Sequence, residues 1–524
     1  MSLHPRNTLF RHLDGIAIIP TLLALEERSI ITHLKENTSE YSLLEIKDKF
    51  KCNDAYLNIA LRLFSSQGWV ERKMNNTNIG FITTDSGLFA FNQVEYLKKY
   101  KPLLKYYTDL KNYLLSNHTS SFDEIFDSAI TCFINHPFKK STVESNEYQN
   151  YKHCEGLILG PIFACLGMNN AIDLNNSTIV LNKINENNQN LIFTLFEHLN
   201  LINSNHQVTD LGYFFFNRLS AYGVTVSYLS TFYKIPQLLF GDPTILWIPE
   251  SDGSESHVDR KMNVWGSGGA HKTYFKKIDQ IITDMFNQPL EQQPLGIADM
   301  GCGDGTFLEH LYNIIAHQTL RGKHLTELPL LIIGADLNKA AIEVTKSRLN
   351  NLNTNSFIIE SDISNPDKFA DILKSDFNIE LEDMLNVRSF LDHNRIYSPP
   401  KGKLSDNAII ESSGSFAYRG RLIPNNELKQ NLIEHFNLWK PYAKNHGLLI
   451  LELHTIHPEI ASHNIGNNVA TAYDATHGYS DQYIIEHDSF IECANLAGLH
   501  ESKENQFTFP STDMTTISIN LFKS

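Results

Sequence analysis

The sequence predicts an α/β protein: a doubly wound parallel sheet over the carboxyl-terminal half, behind a mainly helical region built from two similar units. Three observations predict it. Apolar runs of strand length alternate with helical patterns from residue 295 onward, the turn "MGCGDGT" follows the first of those runs, and two amino-terminal stretches repeat each other's spacing. The 524 residues, 42% hydrophobic and 20% charged, suffice for several ordinary cores. A formal charge of -15 gives no global attraction to phosphate backbones or anionic lipid. The start "MSLHPRNTLFRHLDG" lacks a signal-peptide layout, and no apolar run of spanning length is read. Six scattered cysteines without a CxxC pair suit reduced thiols. The expectation is a cytoplasmic protein with neither nucleic acid nor membrane as partner.

The two amino-terminal units come first in the chain. "LDGIAIIPTLLAL" (13–25) and "CEGLILGPIFACL" (154–166) place Gly15 and Pro20 as they place Gly156 and Pro161. Each is followed by helical patterning, an "LF" helix, a polar hairpin and "T-D-x-G", at Thr84 to Gly87 and at Thr209 to Gly212. Helix, two short strands and a capped new helix outline a winged-helix-like unit, here in tandem. The helix that would read DNA, in "DAYLNIALRLFSSQGWV", carries one Arg, so a scaffold for dimerisation or substrate closure is the favoured reading. The expected boundaries are 1–115 and 116–230 for these units, 231–290 for a linker and active-site cover, and 291–524 for the α/β domain. In the linker, "PESDGSES" reads as a loop and "NVWGSGGAHKTYF" as a loop before a helix. There Gly266, Gly268 and Gly269 would free backbone amides, and His271, Lys272 and Tyr274 would supply donors.

From residue 295 the strands read "LGIADMG", "LPLLIIGADL", "NSFIIESDI", "LEDMLNVRSFLD", "LLILELHTI", "ESKENQFTF" and "TTISINLF". Ligands of such sheets sit at the carboxyl ends of the strands. Gly301, Gly303 and Gly305 let backbone approach a ligand at a helix entry. Asp336, beside Leu337, ends the second strand, where a carboxylate can accept ribose hydroxyls. Asp362 ends the third, with Ile363 to pack on a base. Asp299, just before the glycines, can receive a cationic amino group. The spacing G-x-G-x-G and the lack of a phosphate-binding Arg or Lys disfavour a dinucleotide. This combination resembles the class I S-adenosylmethionine-dependent methyltransferases, a Rossmann-like seven-stranded fold. The resemblance implies that Asp299 and the glycine turn meet the methionine part, Asp336 the ribose and Asp362 the adenine.

The acceptor side is expected in inserts after the fourth and fifth strands, 394–425 and 455–487. "RSFLDHNR", the "G-x-x-I-P-N" helix entry and "HGYSDQY" resemble the methyltransferase domains of apratoxin-type polyketide synthases. "VDRKMNVWGSGGAHKTYF" and the "DG…P" halves share that likeness. The resemblance implies C-methylation of a carboxylated or acyl unit, free or tethered to a carrier protein, in some members with a bound iron or manganese. His477 and Gln482 are the candidate metal ligands, with His454 as a third. Asp392 and His393 are rival ligands or general bases. A metal would stabilise an enolate as a Lewis acid. Two other functions stay open: an O-methyltransferase with a winged-helix dimerisation domain, using a histidine near 393 or 454 as base, and a ligand-sensing regulator. A homodimer is a further expectation.

Overall fold

A computed structural model of the chain describes residues 4–524 apart from 38, 76–77, 116–120, 176, 251–254, 351 and 353. It forms two compact units. The first comprises Met1–His271, Ser415–Leu422 and His457–Asp481; the second comprises Lys272–Gly414, Ile423–Ile456 and Gln482–Ser524. Residues 415–422 and 457–481, expected as parts of the α/β domain, therefore belong to the amino-terminal unit. The sequence carries no local signal for that exchange.

In the first unit the helix Pro5–Glu26 lies against the helix Asn146–Met168. Their contact explains the repeated glycines. A Cβ on Gly15 would lie 2.3 Å from the His153 carbonyl oxygen, and one on Gly156 would lie 2.3 Å from that of His12. Each repeat removes a side chain so that the other's backbone can touch it. Pro5–Glu26 is in fact long and apolar enough to cross a membrane, contrary to the sequence reading, but it is mostly buried as a core helix.

The first repeat continues with the helix Ile30–Glu36, β1 (Tyr41–Ser42), the helices Leu43–Phe50 and Asp54–Ser66, then β2 (Val70–Asn75) and β3 (Asn78–Thr83). The strand order β1-β3-β2 completes a winged helix. The second repeat has the hairpin β4 (Ile172–Asn175) and β5 (Thr178–Leu181), then the helix Glu186–His198, and its wing shrinks to a bridge between Ile202 and Val208. The duplication extends to single bonds. Thr84 Oγ1 donates to the Gly68 carbonyl and Thr209 Oγ1 to that of Asn200, each at 2.6 Å. A Cβ on Gly87 or Gly212 would lie 2.0 Å from the carbonyl oxygen of Trp69 or Leu201 respectively.

The helix Asp54–Ser66 occupies the place of a recognition helix, yet nearly all of it is buried. The helices Pro458–His463 and Ala470–Gly478 pack on it, fastened by buried polar bonds. Arg62 pairs with Asp474 at 2.9 Å, Tyr56 donates to Asp481 at 3.0 Å, and Gln67 donates to Thr471 at 2.7 Å and to Asp14 at 3.0 Å. No face of this helix is left to enter a DNA groove, which removes the physical basis of the regulator reading.

The segment read as a loop at "NVWGSGGAHKTYF" lies within one helix, Arg260–Phe286. Gly266 serves close packing: its Cβ would lie 2.5 Å from the Val224 nitrogen and 2.8 Å from Gly223 Cα. The side chains of His271 and Lys272 lie outside the described residues, as do positions 251–254 of the preceding loop.

The second unit is built on a seven-stranded sheet of order β13-β14-β12-β9-β6-β7-β8. In chain order its strands are β6 (Gly296–Met300), β7 (Leu331–Asp336), β8 (Asn355–Glu360), β9 (Leu385–Ser389), β12 (Leu448–Leu453), β13 (His500–Phe509) and β14 (Ile517–Lys523). A two-stranded ribbon, β10 (Phe416–Tyr418) and β11 (Arg421–Ile423), falls between β9 and β12 in the chain. All neighbours are parallel except β14, which runs against both β12 and β13. Strands β6 and β12 are buried throughout, which is why they read as unbroken apolar runs.

Candidate active site

The glycine turn leaves the end of β6. Gly301, Gly303 and Gly305 have φ of 75°, 56° and 78°, the left-handed region in which any other residue is strained. Gly301 also has no room, since its Cβ would meet the Leu391 side chain at 2.9 Å. The Gly301 and Cys302 amides donate to the Ala335 carbonyl at 2.7 and 3.0 Å, binding the turn to the end of β7. The helix Thr306–Gln318 starts directly after it.

Three carboxylates follow the edge of adjacent strands. Asp299 lies in β6 opposite Gly334 of β7 and is 1% exposed, and its Oδ1 has no hydrogen-bond partner. Burial, and then the charge of Asp336, push its carboxyl well above the usual carboxylate range. Asp336 ends β7; its Oδ2 accepts from the Gly303 amide at 3.0 Å and its Oδ1 from that of Asn338 at 2.8 Å. Leu337 beside it is half exposed. Asp362 lies two residues beyond β8 and accepts from the Ser364 amide at 2.8 Å. Ile363 is buried, and its carbonyl accepts from Trp439 Nε1 at 2.8 Å. The three acids thus stand at the ends of the adjacent strands β6, β7 and β8, beside the glycine turn. An orphaned, buried carboxylate oxygen at Asp299 suits a cation.

At the tips of β9 and β12 a second constellation forms. His393 Nδ1 lies 2.5 Å from Glu452 Oε1, and the His393 amide donates to Glu452 Oε2 at 3.1 Å. Glu452, in β12, is almost wholly buried and also accepts from the Leu453 amide at 2.6 Å. A carboxylate on Nδ1 fixes the imidazole tautomer with its proton there, so the basic lone pair is on Nε2. Sequence reasoning missed Glu452. Its signal was present: a lone acid in the otherwise apolar strand "LLILEL".

The other candidates are placed differently. His454 is fully buried, with Nε2 2.7 Å from Ser518 Oγ and Nδ1 3.2 Å from the Ile485 carbonyl, so both nitrogens serve packing and neither a substrate. Burial, reinforced by His487, lowers its pKa well below that of an ordinary histidine. Asp392 is buried between Arg388 and His435, each 3.0 Å from its Oδ1. Burial pushes its carboxyl up, but Arg388 and His435 outweigh it and hold the pKa below the usual value, which makes Asp392 a poor base. His477 and Gln482 are buried and lie in different units. His477 Nδ1 is 2.7 Å from the Tyr473 carbonyl. Among the described residues no three His, Cys, Asp or Glu side chains gather to hold a metal ion.

Comparison with known proteins gives the family. The family model described as "AprA MT2-like domain" matches residues 255–520, "AprA N-terminal domain" matches 5–72, and "AprA winged helix domain" matches 155–242. No curated protein matches the chain. Among solved structures, the DszA carbon methyltransferase is similar at 11% identity and TM-score 0.35, over 83% of this chain and 95% of that one. An O-methyltransferase family 2 protein from Planctomyces limnophilus DSM 3776, in complex with apigenin, is similar at 8% identity and TM-score 0.37, over 98% and 95%. The mitomycin 7-O-methyltransferase MmcR is similar at 8% identity and TM-score 0.28, over 97% and 95%. These structural likenesses are remote.

Proposed function

Because the chain belongs to the AprA MT2-like family and is an S-adenosylmethionine-dependent methyltransferase, we propose that it methylates a carbon next to a carbonyl in a carboxylated or acyl small molecule. His393 is the base that takes the proton. The observation that carries this reading is the His393–Glu452 dyad at the tips of β9 and β12. The choice of carbon as acceptor rests on the family likeness. The bound donor supplies an electrophilic methyl group. Asp299, Asp336 and Asp362 hold and orient it through its ammonium, ribose and adenine. A carbon beside a carbonyl becomes a nucleophile only once deprotonated; His393 Nε2 accepts that proton, and buried Glu452 stabilises the resulting imidazolium. Positioning carbon in line with the methyl group is then the remaining requirement.

The test uses a malonyl thioester deuterated at C2. With S-adenosylhomocysteine bound, the wild type washes deuterium into water and His393→Ala does not, while Glu452→Gln exchanges about a hundredfold more slowly. With S-adenosylmethionine, mass spectrometry places the new methyl on C2. Undiminished exchange in His393→Ala removes it as base. Methyl transfer to the hydroxyl of a phenolic acceptor, with none to C2, moves the dyad to O-methylation.

A further inference from the structure

A turn with three residues at positive φ is intrinsically loose, and its glycines lose more conformational freedom on ordering than any other residue. Something must hold it in shape before a ligand arrives. In this chain the holding groups come from β7 and from the helix Lys339–Leu349 that follows it. Asp336 takes the Gly303 amide; Thr345 Oγ1 donates to the Gly303 carbonyl at 2.8 Å. Arg348 Nε donates to the Asp304 carbonyl at 2.7 Å, Nη2 to Asp304 Oδ2 at 3.0 Å and Nη1 to Glu309 Oε2 at 2.9 Å. Thr345 is fully buried, and its methyl group lies 3.0 Å from where a Gly305 Cβ would be. Thr345 and Arg348 are three residues apart and so lie on one face of their helix.

We propose that Thr345 and Arg348 are positioning residues for the methyl donor: from behind the turn they hold Gly303 and Asp304 in the shape that receives it. This rests on the reading of the turn as the donor site. The helix that begins beside Asp336 thereby ties the methionine end of the site to the ribose end. The two side chains act through the backbone and do not touch the donor. Preorganisation of this kind appears as affinity, because the ordering cost no longer falls on binding.

The experiment compares wild type, Thr345→Val, Thr345→Ser and Arg348→Gln by calorimetry with S-adenosylhomocysteine, alongside the melting temperature of each ligand-free protein. Valine keeps the shape and loses the hydroxyl; serine keeps the hydroxyl. Thr345→Val is expected to weaken binding about fivefold and Arg348→Gln about tenfold. Thr345→Ser should stay near wild type, and the ligand-free melting temperatures should be nearly equal. In turnover, KM for S-adenosylmethionine should rise while kcat stays. Wild-type affinity in both Thr345→Val and Arg348→Gln, or losses that merely track melting temperature and are no smaller in Thr345→Ser, overturn the positioning role. A well-folded wild type that does not bind S-adenosylhomocysteine overturns the donor-site reading itself.

Discussion

Asp299 gives the sharpest test of the donor site. Its carboxyl is buried with one oxygen unpartnered, and its pKa is pushed well above normal by burial and by Asp336. In the ligand-free enzyme below that raised pKa, the group carries a proton. The α-amino group of the donor stays cationic below about 7.7, and pairing with it requires the carboxylate, so binding must expel the proton. Two consequences follow from linkage. Calorimetry of S-adenosylhomocysteine in buffers of different ionisation enthalpy should give a slope near one proton released. Affinity should also fall about tenfold for each unit the pH drops below the raised pKa. Asp299→Asn should show no proton release, a flat pH dependence, and an affinity loss of about ten- to a hundredfold, the worth of a hydrogen bond between charged groups. Methylthioadenosine, which keeps the ribose and adenine but lacks the amino acid, should release no proton even in wild type. A zero slope for wild type with S-adenosylhomocysteine, or equal slopes with both ligands, would refute the assignment of Asp299 to the ammonium.

Three further predictions concern the amino-terminal unit. Arg62→Ala removes one half of the buried Arg62–Asp474 ion pair and should cost about 3–5 kcal/mol in chemical denaturation; a change within error would show that the pair is idle. Asp14, raised to about 7 chiefly by burial, contributes stability that is complete below its unfolded value near 4 and is lost as pH rises through 7. Asp14→Asn should therefore flatten the decline in melting temperature between about pH 4 and 7, and an unchanged pH profile would rule out that titration. Random duplex DNA at low salt should not bind, because the helix Asp54–Ser66 is covered; a tight gel shift would bring back the regulator.

The sheet was legible because its signals are local. Buried parallel strands such as β6 and β12 announce themselves as apolar runs, and "LGIADMG" leads straight into the glycine turn. The tandem repeat was legible for a related reason: Gly15 and Gly156, or Gly87 and Gly212, are demanded by backbone contacts that permit no substitute. Local propensity misled at Arg260–Phe286, where Gly266 and its neighbours suggested a loop while packing against Gly223 keeps the helix. His454 and His393 both follow strands, and spacing cannot tell which ring faces β14 and which meets a carboxylate. Only the neighbour strand decides: Ser518 engages one, and Glu452 claims the other.

The burial of Asp54–Ser66 under 457–481 has a consequence for synthesis. The amino-terminal half leaves the ribosome with a helix whose cover, including the partners of Arg62 and Tyr56, is encoded some 400 residues later, and that cover can dock only after most of the sheet strands have emerged. A fragment ending at residue 271 would present this unsheathed helix to its neighbours in the cell, and so invite chaperones or clumping.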